Sequence, residues 1–158
     1  MSTSLLLEMA SSADPDRTAI VSGALRRTAS DLSTLADGGA GVIAASGARH
    51  VVVVGAGGAM LPLLLFSAAR AGVPVTPLNY RLSADGLRAL IERLPEPLVV
   101  VDDEYRDMVG SAGKQVIGSA EFVEAASSAE PAAEFADPDS VAVVLFTSGT
   151  TSAPKAVE

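Results

Sequence analysis

Three short runs of β-branched and other apolar residues constrain this chain most. HVVVV (50–54), VPVTPLN (73–79) and PLVVVDD (97–103) carry almost no polar alternation. A strand that shows water neither face reads this way, because both of its sides must be apolar. Between the runs lie two segments of helical period. AMLPLLLFSAARAG (59–72) has Pro62 in its first turn, where a missing N–H costs nothing, and Gly72 where a helix cap belongs. SADGLRALIERL (83–94) has Ser83 as N-cap and Leu87, Leu90, Ile91 and Leu94 on one face. Strand–helix–strand–helix–strand within residues 50–103 predicts an α/β fold. Its sheet is mostly parallel, and right-handed crossovers put helices on both faces.

The flanking segments extend this pattern. Residues 2–12 read as a short amphipathic helix, and Thr18–Ser22 as a strand after a turn. Residues 24–47 read as a short strand or turn followed by a helix with Ala29, Leu32, Leu35 and Ala36 at helical spacing. The Gly38-Gly39 pair is expected to interrupt that helix, and Gly47 to cap it. KQVIGS (114–119) reads as one more strand. The Ala/Glu/Ser-rich stretch at about 120–140 reads as a short helix carrying Phe122, Val123 and Ala126, then an acidic surface linker. VAVVLFTS (141–148) is the last expected strand. With 158 residues and no internal repeat, a single domain is expected.

Charge and residue usage exclude several functions. The net charge is −8, and the acidity is uneven: residues 1–91 hold seven basic and six acidic side chains, residues 92–158 four and thirteen. A chain with this balance and no basic cluster is not built for nucleic acid or an anionic membrane. It has no cysteine, hence no disulfide framework and no thiolate chemistry. The start, MSTSLLLEMASS, lacks the basic region of a signal peptide. The longest apolar run, Ala59–Ala69, is shorter than the ~20 residues a membrane-spanning helix needs. The expectation is a soluble, cytoplasmic protein. His50 opens a strand with no partner in the sequence and reads as structural.

Two glycine-rich loops invite a nucleotide. Gly55-Ala56-Gly57-Gly58-Ala59-Met60 lies between a strand and a helix, as a dinucleotide fingerprint does. Met60 stands where the third glycine is required, and the region about twenty positions on, PVTPLNYRL, holds no acidic residue. A tight strand-to-helix turn accounts for it. The second loop, LFTSGTTSAPK (145–155), offers hydroxyls and free amides to an oxyanion straight out of an apolar run. Lys155 is the only cation after Lys114. A lysine on phosphate oxygens makes charge-assisted contacts of about 1.5–3 kcal/mol each. A Walker A loop is excluded, since Pro154 rather than glycine precedes the lysine.

At these residues the chain resembles the adenylate-forming (AMP-binding) superfamily of acyl-CoA synthetases, peptide-synthetase adenylation domains and beetle luciferases. That family's phosphate loop reads roughly [aromatic]-T-S-G-[ST]-T-G-x-P-K-G. Here Phe146 to Ala156 reads FTSGTTSAPKA, with Ser152 and Ala156 in place of two glycines. LLLFSAARAGVPVTPLNYRLSADGLRALIE (63–92) is similar to the family's helix-to-strand segment, and its PLNYRLS form is nearer to fatty-acid/acyl-CoA synthetases than to amino-acid-activating domains. DRTAIVSG and RRTASDLSTLAD fit the family's opening, with Ala29-Ser30-Asp31-Leu32 lacking its tyrosine and glutamate.

The resemblance implies a ligase that turns a carboxylic acid, a fatty acid by its nearest relatives, and Mg·ATP into an acyl-adenylate and pyrophosphate, then passes the acyl group to the thiol of coenzyme A. It implies that Thr147, Ser148, Gly149, Thr150, Thr151, Ser152 and Lys155 bind the β- and γ-phosphates. It assigns residues 1–158 to the first part of the large N-terminal AMP-binding domain, with the phosphate loop at 146–155. By the resemblance, the acyl pocket, the adenine and ribose contacts and the C-terminal domain with its catalytic lysine are missing from these residues, and the Mg²⁺ ligands are unknown. By itself the chain is therefore expected not to catalyse ligation, and to associate with itself through an exposed 141–146 strand. A stand-alone nucleotide- or phosphate-binding module is the alternative, and a dinucleotide-dependent reductase ranks behind it. Whether Tyr80 and Arg81 face the nucleotide or cap a helix is left open by the residues themselves.

Overall fold

A computed structural model of the chain describes residues 3–113, 115–132, 140–147 and 155–157, with Lys155 described by its backbone. The chain begins with helix α1 (Thr3–Ala13) and an antiparallel hairpin, β1 (Thr18–Ser22) and β2 (Leu25–Thr28), and continues into the long helix α2 (Ala29–Ser46). Then come β3 (His50–Val54), α3 (Met60–Ala71), β4 (Val75–Leu78), α4 (Ala84–Ile91) and β5 (Pro97–Val101). A 3₁₀ turn (Asp103–Tyr105), α5 (Arg106–Val109), β6 (Gln115–Gly118) and α6 (Ser119–Ser128) follow. The chain finishes with a small antiparallel pair, β7 (Leu145–Thr147) and β8 (Lys155–Val157).

The expected parallel sheet is present, with strand order β4-β3-β5-β6. Its valines alternate between two cores. Val51 and Val53 of β3 and Leu98 and Val100 of β5 face α2, α3 and α6, packing with Leu32, Ile43, Leu64 and Phe122. Val52, Val54, Val99 and Val101 face the other way, onto Leu87 and Ile91 of α4 and Val109 of α5. Each valine of β3 and β5 thus buries its side chain against helices, which is why no polar residue interrupts those valine runs. A fully buried valine contributes roughly 1.5–3 kcal/mol.

Local signals set most of the helix ends. Thr28 and Asp31 form a capping box: the Asp31 amide donates to Thr28 Oγ1, and the Thr28 amide donates to Asp31 Oδ2, each at 3.0 Å. These bonds hold the Asp31 carboxyl below its usual range. Gly47 and Gly72 cap α2 and α3 in the left-handed conformation, and Ser83 Oγ accepts from the Gly86 amide at the start of α4. Helix α4 stops before the expected Leu94. Arg93 and Leu94 close the end with tightened i→i+3 bonds to Leu90 and Ile91, and Leu94 stays buried.

Two expectations are corrected. Gly38 and Gly39 do not interrupt α2, which runs through them. They are contact points: a Cβ on Gly38 would meet the carbonyl oxygen of Ala126 in α6, and one on Gly39 the hydroxyl of Ser67 in α3. The last strand is not continuous from 141 to 148. Val143 makes a lone parallel bridge to Val75, and the chain then leaves the sheet to form β7.

Helices α2 and α3 are also joined by polar groups. Arg70, largely buried, donates to the Ser33 carbonyl at 2.6 Å and Ser33 Oγ at 2.9 Å, and pairs with Asp37 at 3.0 Å. The adjacent Ser67 is fully buried and its hydroxyl finds no partner. A buried hydroxyl without a bond is destabilising by about 1–3 kcal/mol. Ser67→Ala is therefore expected to leave stability unchanged or raise it by about 1 kcal/mol, read as the urea midpoint; a loss would show that the hydroxyl is bonded.

Candidate functional site

An open parallel sheet offers its ligand crevice where successive crossovers diverge, at the carboxyl ends of the strands. Here that point lies between β3 and β5, since β4 and β5 flank β3 on opposite sides. The loop after β3 begins at Gly55 and leads into α3 through Gly57 and Gly58, both with positive φ. Asp102, the first residue after β5, already fills the crevice. Its Oδ2 accepts from the Ala56 amide at 3.1 Å, and its Oδ1 accepts from Ser119 Oγ. The backbone passes so close to this carboxylate that a Cβ on Gly55 would collide with it. A carboxylate thus sits where a pyrophosphate would have to sit. This geometry opposes the dinucleotide reading and supports the turn.

Residues 142–147 lie off the other side of the sheet. β4 is the edge strand, and residues 142–144 dock along its outer side: the Val75 amide donates to Ala142 O and the Val144 amide to Val75 O, both at 3.0 Å. The chain then turns away as β7 and pairs with β8, setting Leu145 opposite Val157, Phe146 opposite Ala156 and Thr147 opposite Lys155. Phe146 anchors the pair to the body of the protein. Its ring packs on the second core cluster, with the Arg93 guanidinium 5.0 Å from its centroid. Such a cation–π contact contributes about 0.5–1 kcal/mol at an exposed site.

Of the seven candidate phosphate ligands, the structure brings Thr147 and Lys155 together as cross-strand neighbours, with Thr147 exposed. Ser148, Gly149, Thr150, Thr151 and Ser152 lie outside the described residues. Tyr80 and Arg81 form a separate cluster. Tyr80 packs on Tyr105 with ring centroids 4.9 Å apart, Arg81 lies 5.7 Å over the Tyr80 ring, and the Arg81 amide donates to Asn79 Oδ1. His50 is buried as expected of a structural residue, but it is not without a partner: its Nε2 lies 2.7 Å from Thr76 Oγ1, whose hydroxyl donates to Val144 O at 2.9 Å. The sequence held no signal for this pairing, since the two residues sit 26 positions apart on neighbouring strands. Among the described residues no group of three His, Cys, Asp or Glu side chains is placed to hold a metal ion. None of the described helices is long and apolar enough to cross a membrane.

The family model for AMP-binding enzymes matches residues 7–158. A fatty acyl CoA synthetase of Mycobacterium tuberculosis superposes with a TM-score of 0.84 at 22% identity, over 99% of this chain and 34% of that one. The inhibitor-bound N-terminal domain of FACL13, also from Mycobacterium tuberculosis, gives 0.85 at 24% identity, over 99% of this chain and 43% of that one. VinN in complex with 3-methylaspartate gives 0.81 at 26% identity, over 99% and 46%. The chain thus spans between a third and a half of the length of these solved proteins. No curated protein matches it.

Proposed function

Because the chain belongs to the AMP-binding enzyme family, we propose that it is the pyrophosphate-holding part of an ATP-dependent ligase that activates a carboxylic acid. The observation that supports this is the β7–β8 pair, which sets Thr147 opposite Lys155; the sequence between the two strands is rich in hydroxyls. In the reaction, a carboxylate oxygen attacks the α-phosphorus of ATP. The bond to the bridging oxygen breaks, and pyrophosphate leaves with the electron pair. Thr147, Ser148, Gly149, Thr150, Thr151, Ser152 and Lys155 hold the β- and γ-phosphates in this reading. Hydroxyl and amide donors orient the leaving group, and the lysine offsets its growing charge. Mg²⁺ bound to the triphosphate would supply further charge neutralisation.

The finer assignment is an acyl-CoA synthetase acting on fatty acids, with coenzyme A as the thiol acceptor. The PLNYRLS segment at 77–83 and the likeness to a fatty acyl CoA synthetase support it. Both cosubstrates are cytoplasmic, which is where we place the enzyme. In this scheme residues 1–158 correspond to the first part of the large domain.

The expected result is that the chain binds Mg·ATP in calorimetry and that Lys155→Ala weakens binding about ten- to a hundredfold, the equivalent of one charge-assisted contact. Unchanged affinity in that variant would sink the assignment of Lys155. Turnover in ATP–pyrophosphate exchange by the wild-type chain would show that it is catalytically sufficient. Val141, Leu145 and Val157 are exposed along the same edge. We expect self-association there, seen as a mass rising with concentration in light scattering, and Leu145→Lys to abolish the rise.

A further inference from the structure

We propose that Thr76 and His50 are positioning residues: where Pro77 ends the sheet's hydrogen-bond ladder they hold the Val144 carbonyl, and so set where β7, with Thr147 on it, leaves the sheet. The functional half rests on the reading of the β7–β8 pair given above.

The argument starts from the ladder on the outer side of β4. In a parallel pair, alternate residues of a strand turn both backbone groups to the same neighbour. Val75 does so towards residues 142–144, accepting from the Val144 amide and donating to Ala142 O. The next residue of β4 facing that side is two positions on, and its amide should donate to Val144 O. That residue is Pro77, which has no N–H. The ladder therefore stops after two bonds and leaves the buried Val144 carbonyl without its backbone donor. Thr76 makes good the loss with its side chain, donating its hydroxyl to that carbonyl at 2.9 Å.

Thr76 has one hydroxyl proton, and Val144 O takes it. The contact between His50 Nε2 and Thr76 Oγ1, at 2.7 Å, must then be a donation from the imidazole. This fixes His50 as the Nε2–H tautomer and aims the hydroxyl. Both side chains are buried, so water does not replace either bond. The three residues form one device. Pro77 stops the strand from continuing, Thr76 satisfies the carbonyl where it stops, and His50 orients Thr76. A continuous ladder would carry residues 145–147 along β4; here they are free to pair with β8.

The test is amide hydrogen exchange by NMR on the 158-residue chain. In Thr76→Val the Val144 amide is expected to exchange about tenfold faster relative to the amides of Val51–Val54, while Thr76→Ser stays at the wild-type ratio. The discriminating variant is the double one, Thr76→Val with Pro77→Ala. Its new amide supplies the missing donor and should return the ratio to wild type. A Thr76→Val ratio equal to wild type, or a double variant no better than Thr76→Val, overturns the proposal. Imidazole ¹⁵N shifts at pH 7 should show His50 protonated at Nε2, and protonation at Nδ1 alone would overturn the relay. Mg·ATP affinity is measured on the same variants. It should fall about tenfold in Thr76→Val and recover in Thr76→Ser. An unchanged affinity in Thr76→Val refutes the functional half. A wild-type chain with no Mg·ATP affinity refutes the reading of the β7–β8 pair instead, and the exchange ratio still decides the ladder device.

Discussion

Gly38→Ala is expected to lower the unfolding free energy by about 3 kcal/mol or more, although it improves the helix propensity of α2. The two effects oppose each other and differ in size. Alanine in a helix interior is favoured over glycine by about 1 kcal/mol. Against that, the added methyl lands on the Ala126 carbonyl, a backbone atom of α6 that cannot rotate aside as a side chain could. The helices must separate, and the packing of Phe122 and Ala126 under α2 opens with them. For a domain of this length the loss corresponds to a fall in melting temperature of roughly 10 °C. A Gly38→Ala protein that melts at or above wild type would show that α2 and α6 do not approach this closely.

Acid is expected to weaken the fold through His50 before most carboxylates titrate. Burial pushes the imidazole pKa down to about 4 from an ordinary value of 6.5. The folded state thus resists a proton that the unfolded chain accepts. The contribution of neutral His50 is fully present above pH 6.5 and is lost progressively as pH falls from there through about 4. Integrated over that window, the shift amounts to about 3 kcal/mol, of which about 2 kcal/mol is already gone at pH 5. Glutamine at this position can still donate to Thr76 but does not titrate. Urea unfolding of wild type should therefore lose about 2 kcal/mol more than His50→Gln between pH 7 and pH 5. Equal losses in the two proteins would mean that His50 is protonated as easily folded as unfolded.

The parts of the fold legible in the sequence are those whose causes are local or periodic. The valine runs of β3 and β5, the Thr28 and Ser83 caps and the Gly47 and Gly72 stops each act within a few residues of themselves. The misread parts depend on a distant neighbour. Nothing beside Gly38 in the chain announces Ala126, so the pair of glycines looks like a break when it is a contact surface. The same holds for the end of the last strand. VAVVLF (141–146) is apolar throughout, and what stops it as a sheet strand is a proline in β4. Of the candidate site, Thr147 and Lys155 stand in one sequence motif, and the structure pairs them across two strands. His50 and Thr76 were not legible as a pair, because each is unremarkable until the sheet sets β3 beside β4.

Asp102 gives the carboxyl end of the sheet a resident anion. Many α/β proteins leave that crevice open, and any phosphate compound in the cell can sample it. In this chain the place is taken by a side chain that no dilution removes. On the function proposed above, Asp102 keeps nucleotides from dividing between the phosphate-holding residues and an idle docking place in the crevice it occupies. Removing the Asp102 carboxylate would, by the same logic, create a decoy.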